Sequence, residues 1–151
     1  MTRVMFVCHG NICRSTMAEF VLKHMVSQKG CADRFLIASA ATSREAIGMD
    51  THEGTRRKLK SVGIATPTRQ AVQLRADDYE RYDYFFAMDS ANVTNMRRIL
   101  SGDLQGKVRR LLDLTQRPGD IADPWYTGNF EATYQDVVAG CEAFLDGLHK
   151  S

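Results

Sequence analysis

Apolar positions along this chain switch between two signatures. Val4-Met5-Phe6-Val7 is an unbroken apolar run, the pattern of a short strand buried on both faces of a parallel sheet. It predicts a first strand over residues 2–7. From Ser15 the apolar positions Ala18, Val21, Leu22 and Met25 follow i, i+3, i+4, i+7, which predicts a helix to about residue 28, ended by Lys29-Gly30. Phe35 to Ser39 reads as a second strand, and residues 40–50 as a loop of small and polar residues. Residues 51–62 read as a helix with a basic outer face (Arg56, Arg57, Lys58, Lys60) whose plain explanation is solvation. After the turn Thr66-Pro67-Thr68 comes a short helical segment over about 76–81. Tyr84 to Met88 predicts a third buried strand, and Asp89-Ser90 can cap a helix over 91–100. Val108 to Leu112 predicts a fourth strand, interrupted by Arg109-Arg110. A long loop over 116–128 holds Pro118, Gly119, Pro124 and Gly128. A last amphipathic helix over 129–149 follows through Phe130, Tyr134, Val137, Val138, Cys141 and Leu145.

Strands alternating with helices imply βαβ units, right-handed crossovers and one α/β domain over residues 1–151, a four-stranded parallel sheet with helices on both faces. Ligands bind such sheets beyond the C-terminal strand ends. That rule gathers the loop after Val7, Ser39 and Asp89 at one end.

Composition narrows the classes. The 151 residues suffice for one core, and 25% charged with 44% hydrophobic residues is ordinary for a soluble domain. A net charge of +2 does not argue for nucleic acid and mildly favours an anionic substrate. No apolar stretch approaches the roughly 20 residues of a membrane span, and the N-terminus does not read as a signal peptide. Cys8, Cys13, Cys31 and Cys141 are expected as free thiols, which fits a cytoplasmic protein. No metal-ligand spacing is present and no cofactor is implied. His9, His24, His52 and His149 have no partner legible in the sequence.

The chemistry concentrates in Cys8-His9-Gly10-Asn11-Ile12-Cys13-Arg14-Ser15, between the first strand and the first helix. Backbone N–H groups at such a junction converge on one point and the helix dipole adds positive charge, so the loop favours anions, phosphate above all. Gly10 is expected to take positive φ and keep bulk out of the cradle, and Asn11 tolerates the left-handed region. Cys8 at the mouth would be held as a thiolate. Arg14 offers a planar fork for two phosphate oxygens. Ser15 could cap the helix or donate to the thiolate.

This Cys-x5-Arg loop closely resembles the signature of the low-molecular-weight protein tyrosine phosphatases. The resemblance implies a flavodoxin-like sheet and a phosphotyrosine phosphatase working through a cysteinyl phosphate, with Cys8 the nucleophile, Arg14 the clamp and no metal. It implies a phosphotyrosine-containing protein as substrate, no nucleic-acid or membrane partner, and a monomer or weak dimer. Asp123-Pro124-Trp125-Tyr126 resembles the family's general-acid element, so Asp123 is expected to protonate the leaving oxygen and then activate water. Trp125 and Tyr126 would wall the pocket. Ser39 matches a family serine that bonds the loop asparagine, Asn11, and Ala87-Met88-Asp89 matches a segment whose aspartate lies near the site. Cys13 is expected as a redox partner of Cys8.

The chain also departs from the family's pattern. Thr16 stands where proline is common, Ala41 where glycine is usual, Arg69 where many members have a buttressing histidine, and Glu45 where animal enzymes have a pocket aromatic. A charged Glu45 at the rim would suit basic peptides. Two alternatives share the fold: an arsenate reductase, which needs two further mid-chain cysteines that this chain lacks, and a protein-arginine phosphatase, which has threonine where Ile12 sits. A third is a phosphate-binding or redox-sensing module without turnover.

Overall fold

In the computed structural model, which describes residues 1–149 and the side chains of residues 1–148, four strands form one parallel sheet in the order β2-β1-β3-β4. The strands are β1 (Thr2–Cys8), β2 (Phe35–Ala41), β3 (Tyr84–Ala87) and β4 (Val108–Arg110). Strand β1 lies at the centre, paired with β2 from Thr2↔Phe35 to Cys8↔Ala41 and with β3 from Val4↔Tyr84 to Val7↔Ala87. Its unbroken apolar run is buried on both faces. Val4, Phe6 and Cys8 enter one core with Met17, Leu22, Phe86 and Phe144, whereas Met5 and Val7 enter a second core with Phe85, Met96 and Leu100.

The helices are α1 (Arg14–Gln28), α2 (Glu53–Ser61), α3 (Asp78–Arg81), α4 (Ser90–Ile99), α5 (Pro124–Thr127) and α6 (Phe130–His149). Helices α1 and α6 cover one face of the sheet, and α3 and α4 the other. The basic face of α2 is largely paired: Arg56 with Asp50, Arg57 with Glu53 and Lys58 with Glu131. Among the described residues no helix is long and apolar enough to cross a membrane.

Two expectations about elements need correction. The fourth strand stops at Arg110, and Leu111–Leu114 turns into a 3₁₀ segment. Leu111 must drop out of the strand because it packs against Gly140 of α6, where an added Cβ would lie 2.4 Å from its Cγ. The edge position of β4 accommodates Arg109 and Arg110, since an edge strand tolerates charge. The loop over 116–128 is also not wholly irregular. Pro124 sits at the first position of α5, where its missing N–H costs nothing, and Gly128 ends that turn at φ 71°.

Candidate active site

The ends of β1, β2 and β3 meet at one edge. The loop after β1 runs from Cys8 into α1, and Cys13 is the residue before that helix. Positive φ falls on Asn11, at 58°, and not on Gly10. The asparagine holds this conformation because its buried side chain is bonded at every polar atom. Its Nδ2 donates to Ser15 Oγ and to Ser39 Oγ, each at 2.8 Å, and its Oδ1 accepts from Arg69 Nη2 at 2.5 Å and from the Val72 amide at 3.2 Å. Nor is Gly10 demanded by space: a Cβ there would make ordinary contact with Ile12 and Ala46 at 3.8 and 3.9 Å.

Cys8 Sγ lies 3.1 Å from Ser15 Oγ and accepts from the Asn11 amide at 3.3 Å. Ser15 already accepts from Asn11, so its own proton is free to point at the Cys8 sulfur. Ser15 therefore does not cap α1; that helix end has no side-chain cap. Thr16, in the place of proline, returns its hydroxyl to the Cys13 carbonyl at 3.0 Å and leaves no buried donor unpaired. Arg69, in the place of histidine, buttresses Asn11 directly. Ala41 sits in extended backbone at the end of β2, where no glycine is needed. Beyond Ser39 lies Glu19, which accepts from its hydroxyl at 2.5 Å and pairs with Lys23. Sequence reasoning missed Glu19, although its place one turn after Ser15 on α1 was a usable signal.

Arg14 is buried, with 3% of its surface exposed. Its Nη1 donates to Asp89 Oδ2 at 2.7 Å and to the Ile121 carbonyl at 2.9 Å, while Nη2 makes only a long 3.5 Å contact to Asp123. One half of the fork is thus fixed and the other faces the cavity. Burial opposes the charge on Arg14, but Cys8, the bond to Asp89 and the nearby Asp123 outweigh it and hold the guanidinium above its ordinary value. Asp89 carries both of its expected roles. It forms a capping box with Asn92 at the start of α4 and grips Arg14. Asp123 caps α5 by accepting from the Trp125 amide at 3.0 Å, which leaves its second oxygen toward Arg14. Burial, followed by the charges of Cys8 and Asp123, pushes the Cys13 thiol up to about 12. Cys13 therefore stays protonated at neutral pH.

A cavity of about 240 Å³ joins these groups; Cys8, Arg14 and Asp123 line it together with Glu45, Trp125 and Tyr126. Trp125 is 59% and Tyr126 82% exposed. Two histidines without a legible partner have one here. His9 Nε2 lies 2.9 Å from Glu45 Oε2, joining the cradle to the rim. His52 packs against Trp125 and Phe130. The side chain of His149 lies outside the described residues. All four cysteines are free, and among the described residues no group of three His, Cys, Asp or Glu could hold a metal ion.

A family model described as low molecular weight phosphotyrosine protein phosphatase matches residues 3–151. The chain belongs to this family. It is 37% identical to the low molecular weight protein-tyrosine-phosphatase YfkJ of Bacillus subtilis, over 99% of this chain and 97% of YfkJ, and the YfkJ crystal structure superposes with a TM-score of 0.94. The low molecular weight protein tyrosine phosphatase SP-PTP from Streptococcus pyogenes is 41% identical, with a TM-score of 0.88 over 98% of this chain and 93% of that one. DARP, a drosophila arginine phosphatase, is 31% identical over 100% of this chain and 99% of its own, also at 0.88. Family membership therefore extends over residues 3–151, while relatives of the same fold are named for different activities.

Proposed function

We propose that the protein is a protein tyrosine phosphatase that hydrolyses phosphotyrosine and small aryl phosphates through a cysteinyl phosphate. The observation that carries this reading is the convergence of Cys8, Arg14 and Asp123 on one cavity with an aromatic wall. Cys8 attacks phosphorus as a thiolate. The free half of the Arg14 fork and the loop amides hold the equatorial oxygens and stabilise the charge that builds there. The bond to the aryl oxygen breaks as Asp123 delivers its proton to that oxygen. Asp123, now a carboxylate, takes a proton from the water that attacks the phosphocysteine, and phosphate leaves with Cys8 restored as thiolate. Asn11, Ser15, Ser39 and Asp89 position these groups. In this reading Cys13 can close a disulfide onto an oxidised Cys8. The free thiols support a cytoplasmic location, and the partner is a phosphoprotein, met by a monomer or weak dimer and without nucleic acid or membrane.

Hydrolysis of p-nitrophenyl phosphate and a phosphotyrosine peptide without added metal tests the proposal. Wild type is expected to be active, Cys8→Ser inert, and Asp123→Ala slowed roughly 10²–10⁴-fold on the peptide. Activity retained by Cys8→Ser would overturn it.

A second reading, a protein-arginine phosphatase, is favoured by the likeness to DARP and by the carboxylate of Glu45 at the rim. Buried apolar Ile12 favours the aromatic phosphate. Comparing phosphotyrosine with phosphoarginine peptides separates the two. The arsenate reductase reading is weakened because Cys141 is fully buried on α6, where burial holds its thiol far above the usual range.

A further inference from the structure

Trp125 is the chain's single tryptophan and a wall of the cavity, yet more than half of it is exposed. It stands on a four-residue helix that ends at a left-handed glycine. So short an element cannot orient a large side chain by itself. Among the described residues the one ring it rests against is the imidazole of His52, edge-on at 5.4 Å and 74°. His52 is in turn fixed by three contacts, two through its ring and one through its backbone. Its Nδ1 accepts from the Gly54 amide at 3.0 Å, which caps α2 and leaves the ring proton on Nε2. Its face stacks on Phe130, the first residue of α6, at 5.5 Å and 13°. Its backbone amide donates to the Ile12 carbonyl in the phosphate loop at 2.8 Å. Gly54 is part of the same device, because a Cβ there would lie 2.2 Å from the Phe130 ring.

We propose that His52 is a positioning residue for substrate recognition: it holds the Trp125 indole at the angle that an aryl phosphate stacks against, and locks that angle to the phosphate loop. The inference rests on the phosphatase reading for its substrate class. His52 touches neither phosphate nor the reacting atoms, so its effect belongs in aryl-group binding. Inorganic phosphate, which needs only the cradle, is unaffected.

The test compares wild type with His52→Asn, which keeps the cap acceptor but removes the ring, and with His52→Phe, which keeps a ring but loses the cap. In His52→Asn the KM for p-nitrophenyl phosphate and a phosphotyrosine peptide is expected to rise about three- to tenfold, the scale of one lost aromatic contact, with kcat within about twofold. The inhibition constant of inorganic phosphate is expected to stay unchanged. Trp125 emission is expected to shift red and quench more readily with acrylamide in His52→Asn, and to recover in His52→Phe. Unchanged KM and emission in His52→Asn would overturn the proposal. So would a parallel rise of KM and of the phosphate inhibition constant, which would mean that the cradle itself had been disturbed. Emission needs no turnover. If wild type hydrolyses neither substrate, the phosphatase reading fails on that result, and the red shift with its reversal in His52→Phe still decides whether His52 places Trp125.

Discussion

Asn11 and Trp125 belong to the two sides of one site and are held on opposite terms. Asn11 is fully buried, in the left-handed region, with every polar atom of its side chain bonded to another part of the fold. Trp125 is more than half exposed and, among the described residues, rests on one ring. The cradle is therefore a connected polar network in which each bond limits the others, and losing one member leaves a buried group unpaired. The wall is a surface feature that can change without disturbing the core. In the proposed reading, phosphoryl chemistry, which tolerates little displacement, sits in the first environment, and recognition, which differs from one substrate to the next, sits in the second.

Breaking the cradle should cost most. Arg14→Lys keeps the charge but loses the planar fork that bonds Asp89 and Ile121 while facing the cavity, so kcat/KM for p-nitrophenyl phosphate should fall on the order of 10²–10³-fold. A loss below about threefold would show that the fork's geometry is not used. Asn11→Ala comes next. It removes four hydrogen bonds and places alanine at φ 58°, so urea unfolding should report a loss of about 2–4 kcal/mol together with reduced turnover.

The difference between the two loop cysteines can be read chemically. Burial and the neighbouring negative groups push Cys13 up to about 12, so its thiol form persists at every pH below that value. Iodoacetate at pH 7 should label Cys8 first, with Cys13 unlabelled until strongly alkaline pH or unfolding; peptide mass spectrometry after timed quenching checks the order. The smallest effect is expected at the rim. Glu45 and His9 form an exposed pair, with side chains 75% and 49% accessible, and such pairs contribute little. Glu45→Gln should leave p-nitrophenyl phosphate hydrolysis within about twofold and reduce the preference for peptides with Lys or Arg beside the phosphotyrosine by less than about fivefold. A larger change on the small substrate would mean that the rim reaches into the chemistry.

Much of this site was legible as pattern. The apolar run Val4 to Val7 and the period change at Ser15 specify a buried strand feeding a helix, so the anion loop between them followed from local spacing. Asp89-Ser90 was equally local, marked as a helix cap, whereas Asp123 was singled out by resemblance and its cap on α5 emerged only in the structure; both aspartates reach Arg14. The resemblance carried by these motifs added the roles. Other features were not legible, because they depend on partners far along the chain. Spacing could not show that Arg69 reaches Asn11 across 58 residues, which only the resemblance to a buttressing histidine hinted at, and Glu19 is joined to the asparagine only through Ser39. Positive φ fell on Asn11 and not on Gly10 because long-range bonds to Ser39, Arg69 and Val72 stabilise the asparagine there, which intrinsic glycine preference cannot anticipate. The end of β4 was set by contact between Leu111 and Gly140, 29 positions away in sequence and adjacent only once α6 packs.

By itself, then, the sequence determined the sheet-and-helix order and the anion-favouring loop between β1 and α1, because each is encoded in spacing within one or two turns of chain. The tertiary structure alone decided how these pieces are held: which half of Arg14 is left free, why Cys13 is held as a thiol, and how His52 meets Trp125. The physical reason is that burial, charge coupling and ring contact are properties of neighbours in space, and here those neighbours come from strands and helices that the chain brings together only on folding.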